Sequence, residues 1–425
     1  MPHFSYQDGV LHAEGVALDA IAAQFGTPTY VYSKAALLAN FASYFDACQG
    51  RDALVCYAMK ANSNLAVLDL LARQGAGFDI VSGGELLRVI AAGGDPRKVI
   101  FSGVGKSADE MRLALQHDIL CFNVESIPEL HRLNEVAGQM GKIAPVSLRV
   151  NPNVDAKTHP YIATGLKANK FGVAFDDALD TYRAAAALPH LRVAGIDCHI
   201  GSQLLDDAPL LEALDKLIDL IDTLAAEDIV LHHLDIGGGI GIAYGEADEG
   251  EPVPVGAYLA RLFARIDAWR AERHDGRAIK VIFEPGRSIV GDTGVLLTKV
   301  EYLKHGEEKN FCVVDAAMND MMRPALYQAW MEMRAVRQSD APAGNYDVVG
   351  PICESGDWLA KDRHLAVAQG DLLVMMTAGA YGLTMASNYN TRGRAAEVIV
   401  DGDAVHLVRR RETVAELFAL ESRLP

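Results

Sequence analysis

Between residues 54 and 290 the chain repeats one pattern eight times, a short apolar run followed by a longer amphipathic stretch. The apolar runs are Leu54–Met59, Gly77–Val81, Val99–Ser102, Cys121–Val124, Pro145–Val150, Val193–Ile200, Leu231–Ile236 and Lys280–Phe283. Runs this short, bounded by Gly and polar residues, read as buried strands. The stretches between them, Pro209–Ala226 and Val255–Glu272 among them, place apolar residues at helical spacing. Alternating strands and helices require parallel pairing through right-handed crossovers, and eight such units close a (β/α)8 barrel. An open doubly wound sheet is the other arrangement that the alternation allows.

A barrel of this kind does its chemistry at the C-terminal ends of its strands. Here the runs end in Lys60-Ala61-Asn62, Asp79 with Ser82-Gly83-Gly84-Glu85, Ser102-Gly103, Asn123 with Glu125, Arg149 with Asn151, His199 with Gly201-Ser202, Gly237–Gly239, and Glu284-Pro285-Gly286-Arg287. Turns alone call for Gly, Asn and Asp, not for Lys, His, Arg and Glu on separate strands. Lys60 is the most telling. An amine partly desolvated at a strand end loses its proton more readily than in water and attacks a carbonyl to form a Schiff base. The structural alternative is a lysine whose stem leaves the core and whose head reaches water.

Gly237–Gly239 directly follows the seventh run. Loops after strands seven and eight of such barrels often hold a phosphate on backbone N–H groups, and glycine lets the backbone approach an anion closely. A tight turn would need only one glycine. Tyr244 stands where the last glycine of a GxGxxG motif would fall, so a dinucleotide site is not supported. Ser202 and Tyr381 would add hydroxyl donors. A Schiff-base lysine, a phosphate cradle and a carboxylate, Glu284, after the eighth run together point to pyridoxal 5'-phosphate, whose ring nitrogen needs an acidic partner. His199 would lie against the ring, and Asp79 with Arg149 would steer Lys60 as a charged pair.

Beyond residue 290 the pattern becomes mostly β. Gly294–His305, Asn310–Ala316, Asn345–Gly350 and Leu372–Thr377 read as strands, and Glu397–Val400 with Ala404–Val408 as a hairpin around Asp401-Gly402. Thr29–Tyr32 is expected to join this part, and a helix over Thr413–Glu421 to close the chain. The expected division is a cofactor-binding barrel over residues 36–286, with 1–35 and 287–425 forming a β-rich domain. Six scattered cysteines without metal-ligand spacing read as reduced cytoplasmic thiols, and no metal is expected. A net charge of −17 argues against nucleic acid as a partner. No apolar run is long enough for a bilayer, and the first residues lack the features of a signal peptide.

Eight motifs in order carry a family resemblance: YAMKAN (Tyr57–Asn62), SGGEL (Ser82–Leu86), HIGSQ (His199–Gln203), DIGGGIGIAY (Asp235–Tyr244), EPGR (Glu284–Arg287), MNDMMRPALY (Met318–Tyr327), CESGD (Cys353–Asp357) and AGAYG (Ala378–Gly382). Together they resemble the diaminopimelate decarboxylases, fold-type III pyridoxal-phosphate enzymes like alanine racemase and ornithine decarboxylase. The resemblance implies that Lys60 holds the cofactor, with Gly238, Gly239, Ser202 and Tyr381 on its phosphate, Glu284 on its ring nitrogen and His199 on its face. Asp79, Pro285, Gly286 and Arg287 would complete that site. Arg287, Arg323, Tyr327, Glu354 and Tyr381 would bind the substrate, and Cys353 would serve as proton donor. Cys353 and Glu354 would reach the site of a second subunit, which implies a homodimer with shared sites. One departure is Asn169, in Lys167-Ala168-Asn169-Lys170-Phe171-Gly172, where serine is usual.

The reaction implied is decarboxylation of meso-2,6-diaminopimelate to L-lysine and CO2, the last step of lysine biosynthesis. A racemase of this fold uses arginine at the ring nitrogen, a weaker electron sink than Glu284 allows. Decarboxylases of ornithine, arginine or carboxynorspermidine lack a clamp for a second amino-acid head, which Arg287, Arg323 and Glu354 would form. A non-catalytic pyridoxal-phosphate carrier has no use for CESGD and AGAYG in a β domain. A metal-dependent hydrolase is disfavoured because no His/Asp pairs mark the strand ends.

Overall fold

In the computed structural model all eight runs form strands: β1 (Ala53–Ala58), β2 (Gly77–Ile80), β3 (Val99–Phe101), β4 (Cys121–Val124), β5 (Ala144–Asn151), β6 (Leu191–Asp197), β7 (His233–Asp235) and β8 (Lys280–Phe283). Each pairs in parallel with the next, and β8 returns to β1 with Phe283 opposite Val55. The sheet therefore closes, which decides for the barrel over the open sheet. The structure describes residues 3–155, 169–245, 250–272, 278–339 and 342–425. The chain divides into two compact units. One comprises Phe41–Ile242 and Gly250–Ser288, the other Met1–Asn40, Ala243–Glu249 and Ile289–Pro425.

The seventh strand is shorter than its apolar run, for a local reason. Asp235 Oδ1 accepts the N–H of Gly237 at 2.8 Å, a side-chain turn that ends the ladder. Gly237 has φ +67°, and its carbonyl accepts the Glu284 N–H at 2.7 Å, which ties the ends of β7 and β8 together.

Helices Leu65–Arg73, Gly83–Ala91, Ala108–Gln116 and Ile127–Gln139 follow the first four strands, each with a polar N-cap: Asn64, Ser82, Ser107 and Ser126. Each cap satisfies an otherwise orphaned N–H and contributes about 1 kcal/mol. Two residues of the strand-end clusters are thereby occupied structurally. Ser82 Oγ accepts the Glu85 N–H at 3.2 Å, and the Glu85 carboxylate accepts the Val81 N–H at 2.6 Å. The long helices Ala208–Ala225 and Val255–Glu272 lie within a residue of their expected bounds.

Inside the barrel Cys56, Ile100 and Ile282 pack with Leu54 and Leu120. His233 shares the face of Asp235, two residues on, and its buried ring occupies the space that Gly195 leaves on β6. A Cβ at Gly195 would fall 2.1 Å from His233 Nε2.

In the second unit Thr29–Ser33 lies between Gly294–Lys304, antiparallel, and Ala396–Asp401, parallel. Val31, Val295, Leu297, Val374 and Val398 form its core. Ala396–Asp401 and Ala404–Arg409 make the expected hairpin. The expected C-terminal helix shrinks to Val414–Leu417. A Thr413/Glu416 capping box starts it, but none of its residues is buried, so no packing extends it. Strand Trp358–Leu365 and the N-terminal sheet of Phe4–Gln7, Val10–Ala13 and Val16–Ala17 carry no long apolar run. Among the described residues no helix is long and apolar enough to cross a membrane.

Candidate active site

Strand register sets the barrel mouth. Lys60 lies two residues beyond β1, and Ala58 of that strand sits opposite Asp79 of β2. The Lys60 amine is 2.6 Å from Asp79 Oδ2; the carboxylate is fully buried, whereas the lysine side chain keeps 36% of its surface. Charge pairing with Asp79 thus fixes the amine at the end of β1, while the side chain as a whole is only partly buried. Pro285 and Gly286 pack on the same strand end. The Pro285 carbonyl accepts the Ala58 N–H at 3.0 Å, and a Cβ at Gly286 would meet the Ala58 oxygen at 3.0 Å.

Glu284 turns into the barrel and is buried. Its Oε1 accepts long hydrogen bonds, both 3.4 Å, from Ser102 Oγ and Asn123 Nδ2. Asp197 and Asp235 lie beside it, one carboxylate oxygen of each of the three within 4.8 Å of the others. Burial, then the charges of Asp235, Asp79 and Asp197, push the Glu284 carboxyl well above the usual range. Burial and Asp197 do the same to Asp235. Asp197 is raised only to about 7, because Arg149 offsets part of the burial penalty.

His199 Nδ1 accepts the Gly238 N–H at 3.2 Å, so a neutral ring carries its proton on Nε2. Burial, with Arg149 and Lys60 nearby, pulls its pKa well below the ordinary value and keeps the ring neutral. Arg149 does not join Asp79 as expected. It pairs with Glu125 at 3.4 Å and donates to the His199 carbonyl at 3.2 Å. Glu125 also accepts the N–H groups of Gly103 and Gly172, at 3.0 and 2.9 Å. Two charged pairs therefore stand where one was expected, because strand four supplies its own acid.

The three loop glycines are each required by packing. A Cβ at Gly238 would lie 2.2 Å from the Glu284 oxygen, and one at Gly239, where φ is +117°, would lie 2.5 Å from the Gly201 oxygen. Ser202 Oγ accepts from Arg287 Nη2 at 3.1 Å and Nε at 3.3 Å, which leaves its own hydrogen to donate.

Five of the expected site residues belong to the sheet unit. The buried Arg323 guanidinium lies 4.4 Å over the Tyr244 ring. Tyr327 ends the short helix Arg323–Tyr327. Cys353 and Glu354 are exposed, with the Cys353 N–H donating to Asn390 Oδ1 at 3.0 Å. Tyr381 adopts φ +55°, rare for a side chain of its size. Of the loop that departs from the family pattern, Lys167 and Ala168 lie outside the described residues.

Residues 35–291 match the family model described as pyridoxal-dependent decarboxylase, pyridoxal binding domain. Over all 425 residues the chain is 61% identical to a diaminopimelate decarboxylase of Pseudomonas aeruginosa, covering 100% of both proteins. This chain belongs to the diaminopimelate decarboxylase family of pyridoxal-dependent decarboxylases. Among solved structures it is similar to the Helicobacter pylori diaminopimelate decarboxylase complexed with L-lysine, at 42% identity and TM-score 0.89 over 95% of this chain and 99% of that one. It is also similar to the diaminopimelate decarboxylase of M. jannaschii in co-complex with L-lysine, at 36% identity and TM-score 0.92, covering 99% and 98%.

The residues at the barrel mouth fit the family's cofactor. Asp79 Oδ1, Asn123 Oδ1, Asp197 Oδ1 and Asp235 Oδ2 are buried acceptors with no hydrogen-bond partner among the described residues. A protonated ring nitrogen is a donor of the kind this acceptor-rich interior lacks. Asp197 and Asp235 carry no separate role in the sequence reading, although each is the one acid inside a strand-like run. That position alone signals a buried carboxyl.

Proposed function

We propose that this chain catalyses the pyridoxal-phosphate-dependent decarboxylation of meso-2,6-diaminopimelate to L-lysine and CO2, the closing reaction of lysine biosynthesis. Full-length identity of 61% to a diaminopimelate decarboxylase carries this reading. Pyridoxal phosphate supplies an electron sink for the pair left when the carbon–carboxylate bond breaks. The protein's residues do the rest. Lys60 holds the cofactor through its amine, with Asp79 orienting that amine. Glu284 keeps a proton at the ring nitrogen, and the neutral His199 ring packs on the cofactor's face. Ser202, Gly238, Gly239 and Tyr381 hold the phosphate.

Arg287, Arg323, Tyr327 and Glu354 clamp the distal amino-carboxylate of the substrate, and Cys353 delivers the proton that replaces CO2. A site built to pair that second head rejects substrates lacking it by roughly 10⁴-fold, because its buried polar groups would be left unpaired. Residues 36–286 form the cofactor-binding domain in this reading, with 1–35 and 287–425 supplying substrate and dimer contacts. The enzyme works as a cytoplasmic homodimer, each subunit lending Cys353 and Glu354 to its partner. The test is Lys60→Ala, assayed for CO2 release from meso-diaminopimelate and for the borohydride-sensitive visible absorbance of the bound cofactor. Both should vanish. Turnover near the wild-type rate, or comparable turnover of ornithine by the unaltered protein, would overturn the assignment.

A further inference from the structure

We propose that Lys106 is a positioning residue for Glu284: its buried amine ties the ends of β3 and β4 together and so sets Ser102 and Asn123, the two donors that hold the Glu284 carboxyl. The inference rests on the role proposed for Glu284 above. The β3–β4 ladder pairs Ile100 with Cys121 and Phe101 with Phe122, and its register ends there. Ser102 and Asn123 are the next residues on the two chains. At this point the Lys106 amine donates to the Gly103 carbonyl at 2.7 Å and to the Asn123 carbonyl at 2.6 Å, one from each strand end. Its third hydrogen serves Glu129 Oε1 at 2.8 Å. The lysine side chain keeps only 1% of its surface, and the Phe101 ring lies 5.6 Å from the amine.

The hydrogen bonds around this amine close into a ring. Glu129 Oε2 accepts the Glu125 N–H at 3.0 Å, and Glu125 Oε1 accepts the Gly103 N–H at 3.0 Å, which leads back to the Gly103 carbonyl held by Lys106. Beside the ring, Asn123 Nδ2 donates to Ser102 Oγ at 3.3 Å, and both donate to Glu284 Oε1 at 3.4 Å. Bonds of that length stand at the limit of hydrogen bonding, so a shift of a few tenths of an ångström between the strand ends loses them. Two donors on different strands hold one oxygen only if those ends are fixed relative to each other. Packing gives no equal reason for the lysine. Replacing a buried ion pair with apolar residues of similar volume is often neutral or stabilising. An apolar side chain would fill the space but could not bridge the two carbonyls. The same ring holds the Glu125 carboxylate that pairs with Arg149.

The double variant Lys106→Met/Glu129→Leu separates positioning from stability. It removes the bridge without stranding a charge, so urea unfolding should show most of the stability that Lys106→Met alone loses. Its kcat should nevertheless stay roughly tenfold or more below wild type, with KM within about threefold, since a misplacement of about 1 Å costs on the order of 10²-fold in rate. In the cofactor-free protein the Gly103 amide should exchange with solvent roughly tenfold faster than in wild type, while Ile100, inside the ladder, keeps its rate. Recovery of kcat along with stability would make Lys106 a purely structural residue and overturn the proposal. An unchanged Gly103 exchange rate would overturn it too. If the double variant does not fold, Lys106→Gln/Glu129→Gln, a neutral pair on a shorter stem, is held to the same two outcomes. The exchange measurement needs no cofactor. If the unaltered protein releases no CO2, the proposed function fails, and Gly103 still decides whether Lys106 ties the strand ends.

Discussion

His233 should set the acid sensitivity of the barrel. It is buried in the interior, where its Nε2 has no hydrogen-bond partner among the described residues. Burial is the main cause that lowers its pKa from 6.5 to about 4, with smaller contributions from His232, Arg192 and Lys280. A depressed folded pKa means that the unfolded chain binds the proton more readily. The stability is therefore complete above pH 6.5 and is lost as pH falls toward 4. At about 1.4 kcal/mol per pH unit, the descent from pH 7.5 to 4.5 should remove roughly 2–3 kcal/mol. Asp197 acts in the opposite sense. Raised to about 7, it favours the folded state at acid pH, and this contribution fades as pH rises through 7. The difference between wild type and His233→Leu isolates the histidine. Urea unfolding can be followed at Trp269, which is buried in the barrel's Val255–Glu272 helix, after Trp330 and Trp358 are replaced by Phe. His233→Leu should flatten the pH dependence by that amount, whereas His232→Leu, at an exposed position, should not. Parallel pH profiles for wild type and His233→Leu would refute the reasoning.

Lys106→Met should cost roughly 3–5 kcal/mol in the same unfolding assay, since it strands buried Glu129, now 2.8 Å away, and leaves the Gly103 and Asn123 carbonyls without their donor. Adding Glu129→Leu should recover much of the loss. Glu284→Gln should keep the cofactor bound but lower kcat by about 10²-fold or more, because an ionic partner at the ring nitrogen is lost; an unchanged kcat would give that role to another residue. Lys60→Ala and Cys353→Ala proteins, each nearly inactive, should regain roughly a quarter of wild-type activity after joint dissociation and reassembly, because half the dimers are mixed and carry one intact site. No recovery in confirmed mixed dimers would place Cys353 outside a shared site.

The barrel was legible because both of its signals are local. Apolar runs of four to eight residues alternate with helical periodicity, and eight of them leave no strand unpaired once β8 meets β1. The hairpin at Asp401-Gly402 was equally plain from its turn chemistry. Harder to read were elements whose stability comes from partners rather than from their own pattern. Trp358–Leu365 carries Lys361, Asp362, Arg363 and His364, and is a strand because Gly344–Val349 pairs with it. The pairing of charges at the mouth was misread for a related reason. Arg149 and Asp79 both lie near the ends of apolar runs, but only the folded geometry shows that Glu125 meets Arg149 and leaves Asp79 to Lys60.

The same logic explains why buried acids are kept in the barrel's centre. Replacing a buried charged group with a well-packed apolar residue is often neutral or stabilising, so three adjacent carboxyls are a poor way to fill an interior. The pairs Lys60–Asp79 and Arg149–Glu125 are each internally compensated; Asp197, Asp235 and Glu284 are not. Such an arrangement is stable only with protons retained or with a donor brought in by a ligand. Pyridoxal phosphate brings one at its ring nitrogen, and the electron-sink chemistry of decarboxylation needs that nitrogen to stay protonated. An interior rich in acceptors and short of hydrogens thus suits a protonated ring, and under the proposed function the arrangement that costs the empty barrel stability is the one that would serve the loaded enzyme.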